Sequence, residues 1–222
     1  RTAPTRMWLP TLLCLTPRLA ELESTVMRAD TPREVIERCC AELCASSAGL
    51  DAPALSPSIE GEWMLLHTSK SDFDIRAPLG ARSDGSAPGL ESLFPGAKQA
   101  IAASSSPIQR AVIDAFRVTQ TIELSVPLPR VTQTVELPGG ARLVLGAVAS
   151  VCDSEPKRVS FRFDEGYVQS GRFRLPYPVP FRLLPEAEAS GWLDTLYLSD
   201  SLRISIGNKG TTFVLRRSAE SQ

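Results

Sequence analysis

The first third of the chain carries apolar residues at the spacing of amphipathic helices. Thr16-Pro17 precedes one such stripe, and Thr31-Pro32-Arg33-Glu34 precedes a second one that ends before Gly49. The two stripes consist of Leu19, Leu22 and Val26, and of Val35, Ile36, Cys39, Cys40 and Leu43. Threonine followed by proline is typical of a helix start, and the second site also has the Glu of a capping box. The pattern therefore predicts two helices, followed by a turn-rich link over residues 51–58.

After Ile59 the pattern changes to the alternation typical of β-strands. Strand-like runs begin with residues 59–67 and continue near 112–126, 130–137, 141–152, 158–164, 167–175, 191–198, 202–206 and 211–216. Turn residues separate several runs, at Pro138-Gly139-Gly140, Asp164-Glu165-Gly166 and Gly207-Asn208-Lys209-Gly210. About eight or more short strands without crossover helices predict an antiparallel barrel or sandwich. We expect the barrel, because aromatic residues concentrate at alternating strand positions and a small barrel has room for side chains or one ligand.

Residues 171–184 (GRFRLPYPVPFRLL) form an extended ribbon with three prolines at alternate positions. Side chains alternate between the two faces of an extended chain, so one face is apolar and the other carries proline and arginine. The apolar positions are Phe173, Leu175, Tyr177, Val179, Phe181 and Leu183. Each proline removes a backbone donor from the same edge, which predicts an edge strand or lid whose apolar face covers something. On the other face, Arg172, Arg174 and Arg182 are candidates for contact with a partner or anionic head groups, or serve only to keep the strand soluble.

Composition narrows the class of protein. The chain has 222 residues, of which 43% are hydrophobic and 22% charged, with a net charge of −1. This balance is ordinary for a soluble globular protein and gives no basic field for nucleic acid. No apolar run approaches the roughly 20 residues needed to cross a bilayer. The sequence begins at Arg1, so we expect any transit peptide to be invisible in it.

No catalytic motif stands out in the sequence. The patterns G-x-S-x-G, H-E-x-x-H, G-x-G-x-x-G and the phosphate-binding loop do not occur. The single histidine, His67, is expected to be partly buried at a strand end. Asp194 shares its parity with Trp192, so it needs a cationic partner, for which Arg203 and Lys209 are candidates. We therefore expect no enzyme, with no catalytic residues, no metal site and no required cofactor.

Apolar side chains at alternating strand positions are candidates for the wall of a ligand cavity. This set consists of Trp63, Leu65, Phe116, Phe161, Phe163, Tyr177, Phe181, Trp192 and Tyr197. The alternative is that these side chains simply fill a packed core, as most buried aromatic residues do.

Five segments, in their order and spacing, resemble the plastid lipid-associated proteins, also called fibrillins. They are IEGEWMLLHTS (59–69), SPIQRAVIDAFRVTQTIEL (106–124), RVSFRFDEGYV (158–168), LPYPVPFRLL (175–184) and GWLDTLYLSDSLRISIGNKGTTFVL (191–215). Gly61-Glu62-Trp63 is similar to the first-strand G-x-W that this family shares with lipocalins. The chain departs from the family pattern at Ile206, where arginine is usual, and at His67, where tyrosine is usual.

The resemblance implies a lipocalin-like antiparallel β-barrel in a plastid protein associated with thylakoids or plastoglobules. Its implied ligands are apolar isoprenoid lipids or pigments, such as carotenoids, plastoquinone or tocopherol. We expect residues 1–58 to be an extension with helices that pack on the barrel, residues 59–217 the barrel, and residues 218–222 a tail. The main functional hypothesis is isoprenoid binding or shielding. The alternative is a non-catalytic subunit that docks on a thylakoid pigment–protein complex, another peripheral membrane complex or a prenyl-lipid biosynthetic enzyme, and neither hypothesis involves nucleic acid.

Overall fold

The structure is a computed structural model that describes residues 17–46, 50–69, 117–176, 189–208 and 210–218. The chain divides into two compact units, Arg1–Ala48 and Gly49–Gln222. None of the described helices is long and apolar enough to cross a membrane.

The first unit contains the two predicted helices, α1 (Pro17–Met27) and α2 (Arg33–Ala45). An ion pair of 2.9 Å between Arg18 and Glu42 joins the two helices. Their buried residues are Leu19, Glu23 and Val26 in α1, and Cys39, Cys40 and Leu43 in α2. Burial raises the pKa of the Cys40 thiol to about 12, so this cysteine is a protonated, apolar group.

The capping box predicted at the start of α2 is wrong. Pro32 is the N-cap residue, and no side chain caps the helix. The hydroxyl of Thr31 donates instead to the carbonyl oxygen of Thr25 at 2.7 Å, near the end of α1. The threonine therefore ties the second helix start to the first helix rather than satisfying an amide of α2.

The described residues of the second unit contain nine β-strands, and every described pairing between them is antiparallel. In chain order the strands are β1 (Gly61–Thr68), β2 (Val118–Glu123), β3 (Arg130–Glu136), β4 (Arg142–Val151), β5 (Arg158–Ser170), β6 (Phe173–Pro176), β7 (Ser190–Leu198), β8 (Leu202–Gly207) and β9 (Thr212–Arg217). Short 3₁₀ turns at Pro53–Leu55 and Pro57–Ile59 precede β1. The prediction of a mainly β chain with antiparallel strands and N-terminal helices is confirmed.

The strand pairings return to their starting point. They run from β1 through β2, β3, β4, β5, β7, β8 and β9 back to β1, and we call this set the eight-strand circuit. Among the described strands, β6 pairs with the end of β5 and lies at the end of the sheet order, as predicted for an edge strand. The circuit depends on β5, which pairs with β4 along one edge and with β7 and then β6 along the other.

The turn predicted at Asp164-Glu165-Gly166 is wrong. Strand β5 continues through it, and the register against β4 shifts there, because Phe163 pairs with Ala147 and Glu165 pairs with Gly146. Asp164 is the additional residue of this bulge. Its carboxylate accepts two hydrogen bonds from Arg130 of β3, at 2.8 and 3.2 Å, which hold the irregular residue in place.

The other two predicted turns are confirmed. Gly139 and Gly140, between β3 and β4, have φ angles of 78° and 76°, which favour glycine. Between β8 and β9, the amide of Gly207 donates to the carbonyl of Thr211 at 2.9 Å and closes the hairpin.

One face of the sheet holds most of the buried apolar residues. Paired residues of antiparallel strands project to the same face, so the register defines this set. We call it the Trp63 face, and it includes Trp63, Gln120, Ile122, Val131, Gln133, Leu143, Leu145, Val159, Leu198, Arg203 and Leu215. Residues before β1 join its core, since Ala54 and Ile59 pack in the same cluster as Trp63.

Arg217 ties three segments of this unit together around the Trp63 ring. Its guanidinium carbon lies 4.2 Å from the ring centroid. It donates to the carbonyl oxygens of Ser58 and Glu60, which precede β1, and of Asp200, between β7 and β8. The indole Nε1 of Trp63 donates to the carbonyl oxygen of Ile59 at 2.8 Å, so the same short segment is held from both sides.

We predict that Arg217→Lys lowers the free energy of unfolding by about 2–4 kcal/mol, because an ammonium cannot make the same set of bonds and stack on the ring. The matched control is Arg216→Lys, on the adjacent, exposed residue, which we expect to change stability by less than about 0.5 kcal/mol. Urea denaturation of both variants measures the difference. Equal losses in the two variants would contradict the role assigned to Arg217.

Candidate functional site

The Trp63 face is lined by two apolar clusters. The first contains Ala54, Ile59, Trp63, Ile122, Val131, Ala149, Val159, Leu198 and Leu215, and the second contains Val118, Val135, Leu143, Leu145 and Ala189. Leu65 packs against both clusters and so lies where they meet. Trp63 and Leu65, predicted as neighbours on one face, therefore occupy the same apolar surface.

This apolar surface is incompletely covered. Leu65, Phe163 and Val168 are only half-buried, although they pack against clusters whose other members are buried. Phe213, which packs against the first cluster, is half-buried too. Apolar area that remains accessible on a largely buried face is where an apolar ligand can gain binding energy.

A buried cation, Arg203, interrupts the described part of the apolar surface. Arg203 lies on β8 between Leu198 and Leu215, its direct neighbours in register, and is 1% exposed. Its Nη2 donates to the side-chain oxygen of Gln120 on β2, and its guanidinium carbon is 5.2 Å from the centroid of the Trp63 ring. Burial and the nearby Arg217 lower the pKa of Arg203 to about 9, which leaves the group charged at neutral pH.

A cleft of about 890 Å³ lies where β4, β5 and β7 meet. Of the predicted cavity residues, Phe161, Phe163 and Trp192 line it. The rings of Phe161 and Phe163 are in edge-to-face contact, with centroids 5.4 Å apart. Polar groups also line the cleft, among them Arg162, Asp164 and Asn208, so it has a mixed rather than a purely apolar wall.

Trp192 and Tyr197 lie on the opposite face from Trp63. Their neighbour Leu193 pairs with Val159 on the Trp63 face, and Tyr197 pairs with Ile204 after a register shift in β7. The Trp192 ring stacks on the guanidinium of Arg158, whose carbon is 4.1 Å from the ring centroid, whereas Tyr197 is buried. The register shift between Thr195 and Tyr197 places Tyr197 on this face, and sequence alternation alone does not detect such a shift.

The partner predicted for Asp194 is wrong. Its carboxylate accepts hydrogen bonds from Nε and Nη2 of Arg158, at 2.7 and 2.8 Å, and not from Arg203. Arg158 is the direct register partner of Asp194 across β5 and β7, so the pair forms on the face opposite Trp63. Lys209, the other candidate, lies outside the described residues.

The described part of the proline ribbon presents both of its faces to solvent. Leu175 pairs with Val168, so the apolar positions of the described ribbon continue the Trp63 face. However, Phe173 is 78% exposed and Leu175 is 56% exposed, and the expectation that this face covers something is wrong for these two residues. Arg172 and Arg174 are exposed, and Arg174 stacks on the ring of Tyr167, 3.8 Å from its centroid. Four of the predicted site residues lie outside the described part of the chain, namely Phe116, Tyr177, Phe181 and Arg182.

Sequence reasoning did not find the pair of Arg203 and Gln120. The available signal was an arginine within the apolar run of residues 202–206. A strand with polar residues at alternate positions, here Arg203 and Ser205, is normally exposed on one side. Both faces of β8 are buried in this protein, because Leu202, Arg203, Ile204 and Ser205 are all nearly inaccessible. Periodicity therefore could not tell which residues of this strand face the same way as Trp63.

The described residues define a mainly β protein with a nine-stranded antiparallel sheet. The PAP_fibrillin family model matches residues 13–216, and the chain belongs to this family of plastid-lipid-associated, fibrillin-like proteins. It is 41% identical over 177 residues to the probable plastid-lipid-associated protein 12, chloroplastic, of Arabidopsis thaliana. The match covers 76% of this chain and 35% of the relative, so the chain spans about a third of that protein's length. No solved structure matches the chain.

We predict that Gly191→Ala lowers the free energy of unfolding by about 1–3 kcal/mol, because overpacking forces neighbouring groups to move. An alanine Cβ at this position would lie 2.8 Å from Cζ of Phe161, in the wall of the cleft. In a Phe161→Leu background the same change is expected to cost less than about 0.5 kcal/mol, since the ring is gone. Thermal or urea unfolding of the four proteins in this cycle measures the coupling. An equal cost in both backgrounds would show that Phe161 does not pack on Gly191.

Proposed function

We propose that the eight-strand circuit encloses an interior, in the manner of a lipocalin-like β-barrel, and that this interior binds or shields an apolar isoprenoid lipid or pigment. Carotenoids, plastoquinone and tocopherol are the ligands we consider. The observation that carries the proposal is the incompletely covered apolar surface of the Trp63 face, on strands whose pairings return to their start. Membership in a family of plastid-lipid-associated proteins supports it.

The energy available for such binding is sufficient without specific polar contacts. Removing about 300 Å² of apolar ligand surface from water gives roughly 7 kcal/mol at about 25 cal/mol/Å², before the costs of association. Recognition by shape and area of this kind favours a class of apolar molecules rather than a single one. We therefore propose carriage or protection of isoprenoids and not discrimination among them.

We place this function in the plastid, at thylakoids or plastoglobules. The support is the chloroplastic relative, whose name describes a plastid-lipid-associated protein. The role we propose is non-catalytic. The polar groups identified among the apolar clusters are a guanidinium and an amide, and neither is suited to take up a proton as a general base near neutral pH.

We predict that Leu65→Trp lowers the affinity for plastoquinone by about tenfold, because the larger side chain occupies accessible space where the two apolar clusters meet. The control is Met64→Trp, an equally half-buried position of β1 that faces the other way. Fluorescence titration of the purified proteins gives the affinities, and solvent extraction after gel filtration gives the amount of bound quinone. Wild-type protein that retains no isoprenoid, or equal effects of the two variants, would refute interior binding.

A second candidate function is docking on a membrane or on a peripheral membrane or thylakoid complex. The observation that favours it is the exposed pair Phe173 and Leu175, beside the exposed Arg172 and Arg174. Exposed apolar residues next to cationic ones fit a surface with anionic head groups.

We predict that the double variant Phe173→Ser, Leu175→Ser lowers co-sedimentation with vesicles of phosphatidylcholine and phosphatidylglycerol at least about threefold, since it removes apolar area that would enter the lipid surface. The matched control is Val126→Ser, Leu128→Ser, which removes another exposed apolar pair, 40% and 56% exposed, between β2 and β3. Equal losses from both double variants would contradict a specific docking surface at β6. Unchanged co-sedimentation, combined with loss from isolated thylakoid complexes, would assign the surface to a protein partner.

A further inference from the structure

The buried guanidinium of Arg203 lacks the carboxylate partner that the half-buried Arg130 and Arg158 have. Arg130 holds Asp164 through two hydrogen bonds, and Arg158 holds Asp194 through two. Arg203 is far less exposed than either, yet no described carboxylate lies within ion-pairing distance of it. A buried charge without a counter-charge is costly, because burial removes its hydration without an equivalent replacement.

The unused donor of Arg203 belongs to the edge of the guanidinium that binds carboxylates. In the pair with Asp194, Arg158 uses Nε and Nη2 together. In Arg203, Nη2 donates to the amide oxygen of Gln120, and Nε is buried with no hydrogen-bond partner. The carboxylate-binding edge of Arg203 therefore has two donors: Nη2, which Gln120 occupies, and Nε, which has no partner and which we call the open half-site.

This open half-site adjoins the accessible part of the Trp63 face. Gln120 is itself half-buried, and its direct register partner on β3 is Gln133, which is also half-buried on the same face. Gln120 is paired with Trp63 on its other side, one position from the half-buried Leu65 along the same face. A molecule with its tail on the apolar clusters could thus place its head group against Gln120 and the Nε of Arg203.

We propose that the Trp63 face binds an amphiphile with a carboxylate head group, whose two oxygens bind Nε and Nη2 of Arg203 while Gln120 gives up or shares its contact. The tail lies on the apolar surface around Leu65. The proposal rests on the proposed function for the existence of an accessible interior, but it concerns a different ligand class. Isoprenoid hydrocarbons and quinones have no carboxylate, and they cannot neutralise the buried cation. The guanidinium remains charged at neutral pH, as this interaction requires.

The test compares oleate with methyl oleate on the same protein, because the two differ in charge at the head group and little in apolar area. After delipidation, displacement of a fluorescent lipid probe measures both affinities, and plastoquinone is titrated in parallel. We expect oleate to bind at least about tenfold more tightly than its methyl ester in wild-type protein, as a charge-assisted bidentate contact implies.

Three variants identify the residues responsible. Arg203→Met should abolish the preference for oleate while leaving methyl oleate binding in place. Gln120→Leu should raise the preference, because it removes the oxygen that competes for Nη2. Gln133→Leu is the matched control, a half-buried glutamine on the same face without a bond to Arg203, and should leave the preference unchanged.

Each outcome decides for or against the proposal. Equal affinities of wild-type protein for oleate and methyl oleate overturn it, even if Arg203→Met fails to fold. So does a preference that survives in folded Arg203→Met protein, or one that falls in Gln120→Leu protein.

Binding of plastoquinone and of both oleate forms without preference refutes the carboxylate site and leaves the proposed function intact. A preference for oleate without any plastoquinone binding supports the carboxylate site and refutes the isoprenoid function, and no binding of any of the three refutes both.

Discussion

The pairing of β5 with three other strands is the constraint on which the rest of the sheet depends. Along one edge, β5 pairs with β4 over residues 159–169, a stretch that includes the bulge at Asp164. Along the other edge, its first five residues pair with β7 and its last four with β6. The pairings return to β1 because β5 joins β4 on one edge to β7 on the other, and the further length of β5 also pairs with β6. Arg130 holds the bulge at Asp164 within this strand through two hydrogen bonds.

The same arrangement explains the position of the cleft. The cleft lies along β5, and its wall includes Phe163, Asp164 and the first residues of β7. Glycine at position 191 lets the Phe161 ring pack directly on the backbone of β7. The pairing of β5 with β7 therefore also provides the place for this aromatic packing.

Much of the fold was predictable from local patterns, whereas the candidate site was only partly so. Alternation and turn residues predicted the strands and the glycine turns, because backbone geometry at those positions is a local property. The bulge at Asp164 was read as a turn, since the residue that stabilises it, Arg130, is distant in sequence. The face on which Tyr197 lies was not predictable for a related reason: the register shift in β7 between Thr195 and Tyr197 depends on the neighbouring strands and not only on its own sequence. The roles of these residues in ligand binding stay predictions.

Arg203 and Arg217 lie near the same aromatic ring but differ in how well their hydrogen-bond donors are satisfied. Both guanidinium groups lie near Trp63, and Arg217 reaches three backbone carbonyl oxygens that replace the hydration it loses. Arg203 has one amide oxygen, and the proximity of Arg217 raises the cost of its charge further. The hydrogen bonds to backbone carbonyls explain why an arginine occupies position 217. The single bond to Gln120 does not fully explain why an arginine occupies position 203. A buried cation with an open bidentate edge, next to accessible apolar area, is the combination that a fatty-acid-like ligand would complete.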